Sequence, residues 1–253
     1  MKKKTFLLCI VTLIFITLMF QNAYGATYMK QKQHTDAVTI MGTMQPAHDV
    51  IVESWITPTK MVVKNKKQKT VIDIDKKIIT TANHEEKTIV TMPTDFSKNM
   101  NKEMGNMSQE EKASFEQVMS KMMKMNVTVI ETKESKKIGK WNCRKYLQTI
   151  ETAMGTTNSE IWATEDIKID GELYAKHSAG MMAQMPGMSQ NIDAIMQEIK
   201  KIKGVHVYSE QTTMMMGQSM KSSVELMEFK EVKAPGSIFD LPSGYKQVDA
   251  FKQ

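Results

Sequence analysis

Between Asp49 and Pro93, short runs of strand-forming residues alternate with turn residues, and this meander constrains the chain more than any other feature. The runs are Asp49–Ile56, Lys60–Lys64, Lys69–Asp75, Lys77–Thr81 and Lys87–Met92. They are broken at Thr57-Pro58-Thr59, Asn65-Lys66-Lys67, Asp75-Lys76 and Asn83-His84-Glu85-Glu86. Connections this short join antiparallel neighbours, because a parallel crossover needs a dozen or more residues. In Val71-Ile72-Asp73-Ile74-Asp75 the isoleucines fall on one face and the aspartates on the other, the period of a half-buried strand.

The meander follows an export leader. Lys2, Lys3 and Lys4 precede the uncharged Thr5–Phe20, and Ala23-Tyr24-Gly25 offers small residues for cleavage before Ala26. The apolar run is shorter than the roughly 20 residues of a spanning helix, so a cleaved signal over residues 1–25 is expected, not an anchor. The periplasm is the expected compartment. The remaining 228 of 253 residues suit one domain, 26–253, with no composition break or internal repeat.

The rest of the chain alternates strand and helix blocks. Tyr28–Gly42 reads as a first strand. Ser108-Gln109-Glu110-Glu111 is a capping box, and Phe115, Val118, Met119 and Met122 then form an apolar stripe. Strands return at Val127–Thr132, Trp141–Thr152 and Thr157–Thr164. A second helical block spans about 171–203, divided at Pro186-Gly187, with an apolar face of Ile192, Ile195, Met196, Ile199 and Ile202. Gly204 ends it, and Val205–Met215 and Gln218–Val232 make a last hairpin. The expected fold class is therefore α+β: an antiparallel sheet with helices packed on one side.

Composition excludes several function classes. Removing the three leader lysines from a net charge of +6 leaves +3, a mild bias. Arg144 is the only arginine and the lysines are dispersed, which argues against nucleic acid. No GxxxxGK[ST] loop or GxSxG elbow is present, so neither a nucleotide site nor a serine hydrolase is expected. His84-Glu85-Glu86-Lys87-Thr88 lacks the second histidine of a zinc-protease helix and sits in a turn. His34, His48, His84, His177 and His206 show no ligand spacing. Asp73 and Asp75, roughly 7 Å apart on one strand face, have lysine neighbours and read as solvated. Cys143, alone in the mature chain, reads as a small buried hydrophobe. No catalytic residue, cofactor or metal is assigned.

Several strings carry a resemblance: Trp55-Ile56-Thr57-Pro58-Thr59-Lys60-Met61, Ile72-Asp73-Ile74-Asp75-Lys76-Lys77-Ile78, Gly139-Lys140-Trp141-Asn142-Cys143-Arg144-Lys145-Tyr146, Glu160-Ile161-Trp162-Ala163-Thr164 and Phe239-Asp240-Leu241-Pro242-Ser243-Gly244-Tyr245. Together they resemble a bacterial domain-of-unknown-function family of exported proteins, itself similar to the periplasmic carriers of outer-membrane lipoproteins (the LolA-like fold). The resemblance spans most of Asp49–Tyr245. It implies a strongly curved antiparallel sheet, an incomplete barrel, with helices over its concave face and an apolar cavity between. It brings no catalytic motif. Fold analogy alone does not transfer lipoprotein trafficking.

Methionine is over-represented, with 25 in the chain, two of them in the leader. Met100, Met104 and Met107, and again Met181, Met185 and Met188, recur at helical spacing; Met214 and Met216 share a strand face. Three readings stand: ordinary core, an adaptable cavity wall of polarizable side chains, or a Cu(I) site near His177. The expected function is non-catalytic binding of a hydrophobic ligand, a lipid or acyl chains. Its lining is assigned to Trp55, Met61, Val63, Ile72, Ile74, Trp162, Met181, Met185, Ile192 and Met196. Envelope proteins are candidate partners. A copper-binding protein and a structural envelope protein are the alternatives.

Overall fold

The computed structural model describes residues 25–40, 42–94, 108–111, 113–114, 125–168, 192–215 and 217–249. The expected leader, the Phe115–Met122 stripe and most of the expected second helical block, with Met181, Met185 and Met188, lie outside the described residues.

The expected meander is present: β4 (His48–Ile56), β5 (Lys60–Lys64), β6 (Gln68–Asp73), β7 (Ile78–Asn83) and β8 (Thr88–Pro93) pair in sequence as antiparallel neighbours. Each of its turns is closed by a short polar side chain at its first position. Thr57 Oγ1 accepts from the Lys60 amide at 3.0 Å. Asn65 Oδ1 accepts from Lys67 and Gln68 at 2.8 and 2.9 Å. Asp73 Oδ1 accepts from Lys76 at 2.9 Å, and Asn83 Oδ1 from Glu85 and Glu86 at 2.9 and 3.1 Å. Side chains of this kind replace the turn's missing backbone partner, which is why these residue types punctuate the sequence. Asp73 ends its strand and is buried, while Asp75 lies exposed in the turn, so the two do not share a strand face.

Among the described residues, eight further strands and the helix α1 complete the frame, joined by a terminal strand. They are β1 (Ala26–Thr35), β2 (Val38–Ile40), β3 (Thr43–Gln45), β9 (Met125–Ile138), β10 (Trp141–Thr152), β11 (Gly155–Thr164), helix α1 (Ile192–Ile199), β12 (Val205–Met215), β13 (Gln218–Val232) and, last, β14 (Lys246–Val248). Twelve strands form one sheet in the order β14-β8-β7-β6-β5-β4-β1-β13-β12-β11-β10-β9; β2 and β3 pair separately. Every pairing in the large sheet is antiparallel except β14 on β8.

The fold class expected from the sequence is corrected by this architecture. Of the described residues, 64% are in strands and 9% are helical, and the sheet does not close into a barrel. Among the described residues no layer of helices covers it: α1 is eight residues long and packs at the β9 end. The molecule is mostly β, not α+β. The apolar periodicity that starts at Ile192 does form a helix, but it ends at Ile199 and serves only one end of the sheet. The capping box is also present, with the Ser108 amide donating to Glu111 Oε2 at 2.8 Å and the Glu111 amide to Ser108 Oγ at 3.3 Å. Among the described residues no helix is long and apolar enough to cross a membrane.

One buried cluster sits at the α1 end, where Ile195 and Ile202 join Val127, Val129, Tyr146, Ile161 and Ala163. Glu198 Oε2 accepts from the Val129 amide at 2.8 Å, so the helix satisfies a donor that the edge strand β9 would leave open. The chain then turns at Gly204, φ +84°, where a Cβ would stand 1.9 Å from the Thr164 carbonyl oxygen. Only glycine fits there. At the opposite edge, the tail after β13 lays a 3-10 turn (Gly236–Phe239) beside Lys60, whose Nζ is 5.7 Å from the Phe239 ring centre. Lys69 Nζ donates to the Asp240 carbonyl at 2.5 Å, and burial lowers its pKa. His84 Nδ1 meets the Tyr245 hydroxyl at 2.9 Å before β14 covers β8.

Candidate ligand-binding face

Side chains directly opposite on paired strands share a face, and alternate residues along a strand do too. The unshifted registers therefore sort the sheet's side chains into two surfaces. One row runs Lys145-Trp162-Tyr208-Glu225-Lys32-Ile51 across β10, β11, β12, β13, β1 and β4. Further along β4 the same face continues as Trp55-Val62-Val71-Thr80-Thr91. From β10 to β6 this surface carries charges and is laced with ion pairs, Lys64 with Glu53 at 3.2 Å, Lys32 with Asp49 at 2.9 Å and Lys145 with Glu160 at 3.0 Å, whereas on β7 and β8 it is uncharged, with Thr80, Ala82 and Ile89 buried. Its tryptophans lie under ammonium groups, with Lys136 3.9 Å from the Trp162 ring centre and Lys64 4.9 Å from that of Trp55. Tyr28 packs on Trp55 at 4.7 Å between centroids.

The reverse face is different in kind. Its rows are Tyr146-Ile161-Ser209-Val224-Gln33-Val50 and Gln148-Ser159-Gln211-Ser222-Thr35-His48 across β10 to β4. Across β4 to β8 they are Ile56-Met61-Ile72-Ile79-Met92 and Ser54-Val63-Thr70-Thr81-Val90. From Tyr146 on β10 to Met92 on β8, ten adjacent strands place no Asp, Glu, Lys or Arg on this face. The charges stand at its rim. Arg144 pairs with Glu131 at 2.9 Å beside Tyr146, and Glu231 follows the β13 bulge at Met227. Helix α1 packs on this same face, through Ile195 against Tyr146 and Ile161.

The face has two zones. The β4–β8 zone is mainly aliphatic and thioether, with Val52, Ile56 and Ile72 buried and Met61, Val63, Ile79, Val90 and Met92 half-buried, and it is interrupted by Ser54, Thr70 and Thr81. The central zone is polar but neutral. Thr157 and Thr213 hydroxyls meet at 3.0 Å, and Gln211 Nε2 donates to Ser222 Oγ at 2.9 Å. Gln148 is half-buried and Gln33 exposed, and neither side chain bonds another described residue.

Against this geometry the residues assigned from the sequence divide. Met61, Val63 and Ile72 lie together on the uncharged face. Trp55 and Trp162 belong to the opposite, charged face, so they do not line the same surface. Ile74 falls in the β6–β7 turn, outside any strand. Ile192 opens α1, and Met196 is half-buried on it. Met181 and Met185 lie outside the described residues. Met214 is exposed on the charged face. Sequence reasoning missed Gln33, Gln148, Gln211, Ser159, Ser209 and Ser222, because it searched for apolar alternation. The signal available was alternation in which charge is excluded, as in Lys30-Gln31-Lys32-Gln33.

The hollows at the β9–β10 end are not the apolar cavity expected. One of about 540 Å³ is lined by Glu131, Thr132, Lys133, Glu134, Ser135 and Arg144, and another of about 220 Å³ opens over Cys143 between Arg144, Asp166 and Lys203. Cys143 is 1% exposed, and burial pushes its thiol pKa up, away from the reactive thiolate. Burial likewise raises the Tyr146 hydroxyl, which accepts from the Lys203 amide at 3.4 Å. No group of three or more His, Cys, Asp or Glu among the described residues is placed to hold a metal.

Comparison with protein-family models finds no match, and comparison with curated proteins finds none.

Proposed function

We propose that this chain is an exported, non-catalytic binder of a hydrophobic ligand, lipid or acyl chains, held on the uncharged face of its sheet. The observation that carries the reading is the absence of Asp, Glu, Lys and Arg from one face of ten adjacent strands inside a rim marked by Arg144 and Glu231, while the other face carries them on every strand from β10 to β6. A face meant only for water would be dotted with charge, as its reverse is. An uncharged surface with aliphatic and thioether side chains at one end accepts acyl chains, each buried CH₂ contributing roughly 0.8 kcal/mol. Half-buried Met61 and Met92 suit such a surface, because unbranched thioethers adjust to varied chains. The resemblance to lipoprotein carriers and the leader-like pattern of Lys2–Gly25 support a role at the cell envelope.

The test is mass spectrometry of an organic extract of the purified protein, with titration by a fluorescent fatty-acyl probe. A co-purifying lipid, or saturable probe binding lost in Met61→Glu, supports the reading. An extract free of lipid together with no probe binding refutes it.

A further inference from the structure

We infer that the ligand of this face is an acylglycerol, an acyl chain ended by an uncharged ester and hydroxyls, and not a free fatty-acid anion or a phospholipid. The inference rests on the reading of the uncharged face as a ligand surface. Its ground is charge complementarity. A carboxylate or phosphate docked on this face would need a cation, and between Tyr146 and Met92 the ten strands supply no Lys or Arg. Arg144, on β10 at the rim, is already held by Glu131 at 2.9 Å. A buried ionised group without a partner costs several kcal/mol, more than a few CH₂ groups restore.

What the face does supply is a line of hydrogen-bonding groups that holds no carboxylate, ammonium or guanidinium. Gln148, Ser159, Gln211, Ser222, Thr35 and His48 stand opposite one another on six consecutive strands. At the usual strand spacing the line extends about 24 Å. Amide and hydroxyl side chains each both donate and accept. An ester carbonyl and the two hydroxyls of a glycerol offer one acceptor and two donor–acceptors, which such a line satisfies without any charge. The aliphatic zone of β4–β8 begins next to it on β4, at Val50 and Val52, so head and chain find their surfaces side by side. A simple alkane would leave the Gln148 amide without a partner, and an anion would leave itself without one.

The experiment is displacement of a bound neutral fluorescent probe by 1-monooleoylglycerol and by oleate at pH 8, each below its aggregation threshold. The full-length mature chain is used. Monooleoylglycerol is expected to compete at least tenfold more tightly than oleate. Gln148→Leu and Gln33→Leu, whose native side chains bond no other described residue, should each narrow that gap while the melting temperature holds. Equal competition by the two lipids, or tighter competition by oleate, overturns the inference and leaves the face a ligand surface. Failure of the probe to bind at all overturns both.

Discussion

A carboxylate placed at position 33 separates a ligand surface from a merely uncharged one. Gln33 is exposed at the centre of the uncharged face, opposite Val224 on β13 and Val50 on β4. In the empty protein a Gln33→Glu carboxylate would stay hydrated, so stability should change by no more than about 0.5 kcal/mol. A bound acyl chain would strip that water. The carboxylate then either remains charged in an apolar setting or takes up a proton. Protonating a glutamate of ordinary pKa near 4.3 at pH 7 costs roughly 3.7 kcal/mol, which sets the ceiling on the penalty. Affinity for a neutral acyl probe should therefore fall between about tenfold and 500-fold at pH 7. At pH 5 the ceiling drops to roughly 1 kcal/mol, so most of the loss should return. Leu147→Glu adds the same charge at an exposed site on the opposite face and should leave binding unchanged. Probe fluorescence at the two pH values reads all three proteins. Equal effects of the two substitutions, or a Gln33→Glu loss that does not diminish at pH 5, would refute the assignment of the face.

Other outcomes follow from local geometry. Gly204→Ala drives a methyl into the Thr164 carbonyl and should cost at least about 2 kcal/mol, whereas Gly217→Ala, at a similar φ of +77° with open space around it, should cost only about 1; thermal melts of the pair isolate the clash from the backbone strain. Cys143 should resist a thiol reagent in the native protein and react at once in denaturant, and rapid native labelling would mean that its burial is wrong. His34 bridges Asp49 at 2.7 Å and Asp36 at 3.0 Å, and its pKa is raised, first by the hydrogen bond to Asp49. Its contribution is complete below the unfolded value near 6.5 and is lost as pH rises through the higher folded value. An NMR titration should show that elevation, and Asp49→Asn should reduce it.

The turn chemistry made the fold legible. Thr57, Asn65, Asp73 and Asn83 punctuate the meander at sites where a short polar side chain closes each turn, and the strands between follow within one or two residues. Trp141–Thr152, Val205–Met215 and Gln218–Val232 match their expected bounds. The fold class was misjudged for a physical reason. An amphipathic period tells that a helix forms, and Ile195 does bury one; it does not tell how much sheet that helix covers. The site was half legible. Met61, Val63 and Ile72 stood out as apolar, but Trp55 and Trp162 did too, and hydrophobicity does not reveal which side of a sheet a residue takes. Register does, and register passes through bulges at Met227 and Val207 that no local pattern announces.

The position of β1 governs the order in which this molecule can be put together. The first described strand lies in the middle of the sheet, with Ala26 opposite Val232 on one side and Thr27 opposite Ile56 on the other. The meander can knit as soon as it is made, since each of its strands meets the next. β1 cannot, because one of its two hydrogen-bonded flanks is supplied by nearly the far end of the chain. Contacts this distant in sequence form late and slowly. Until β13 arrives, the two halves of the sheet have no common seam, and the continuous uncharged face does not exist. A truncation that removes β13 should therefore abolish the surface as a whole, even where the β4–β8 half still folds.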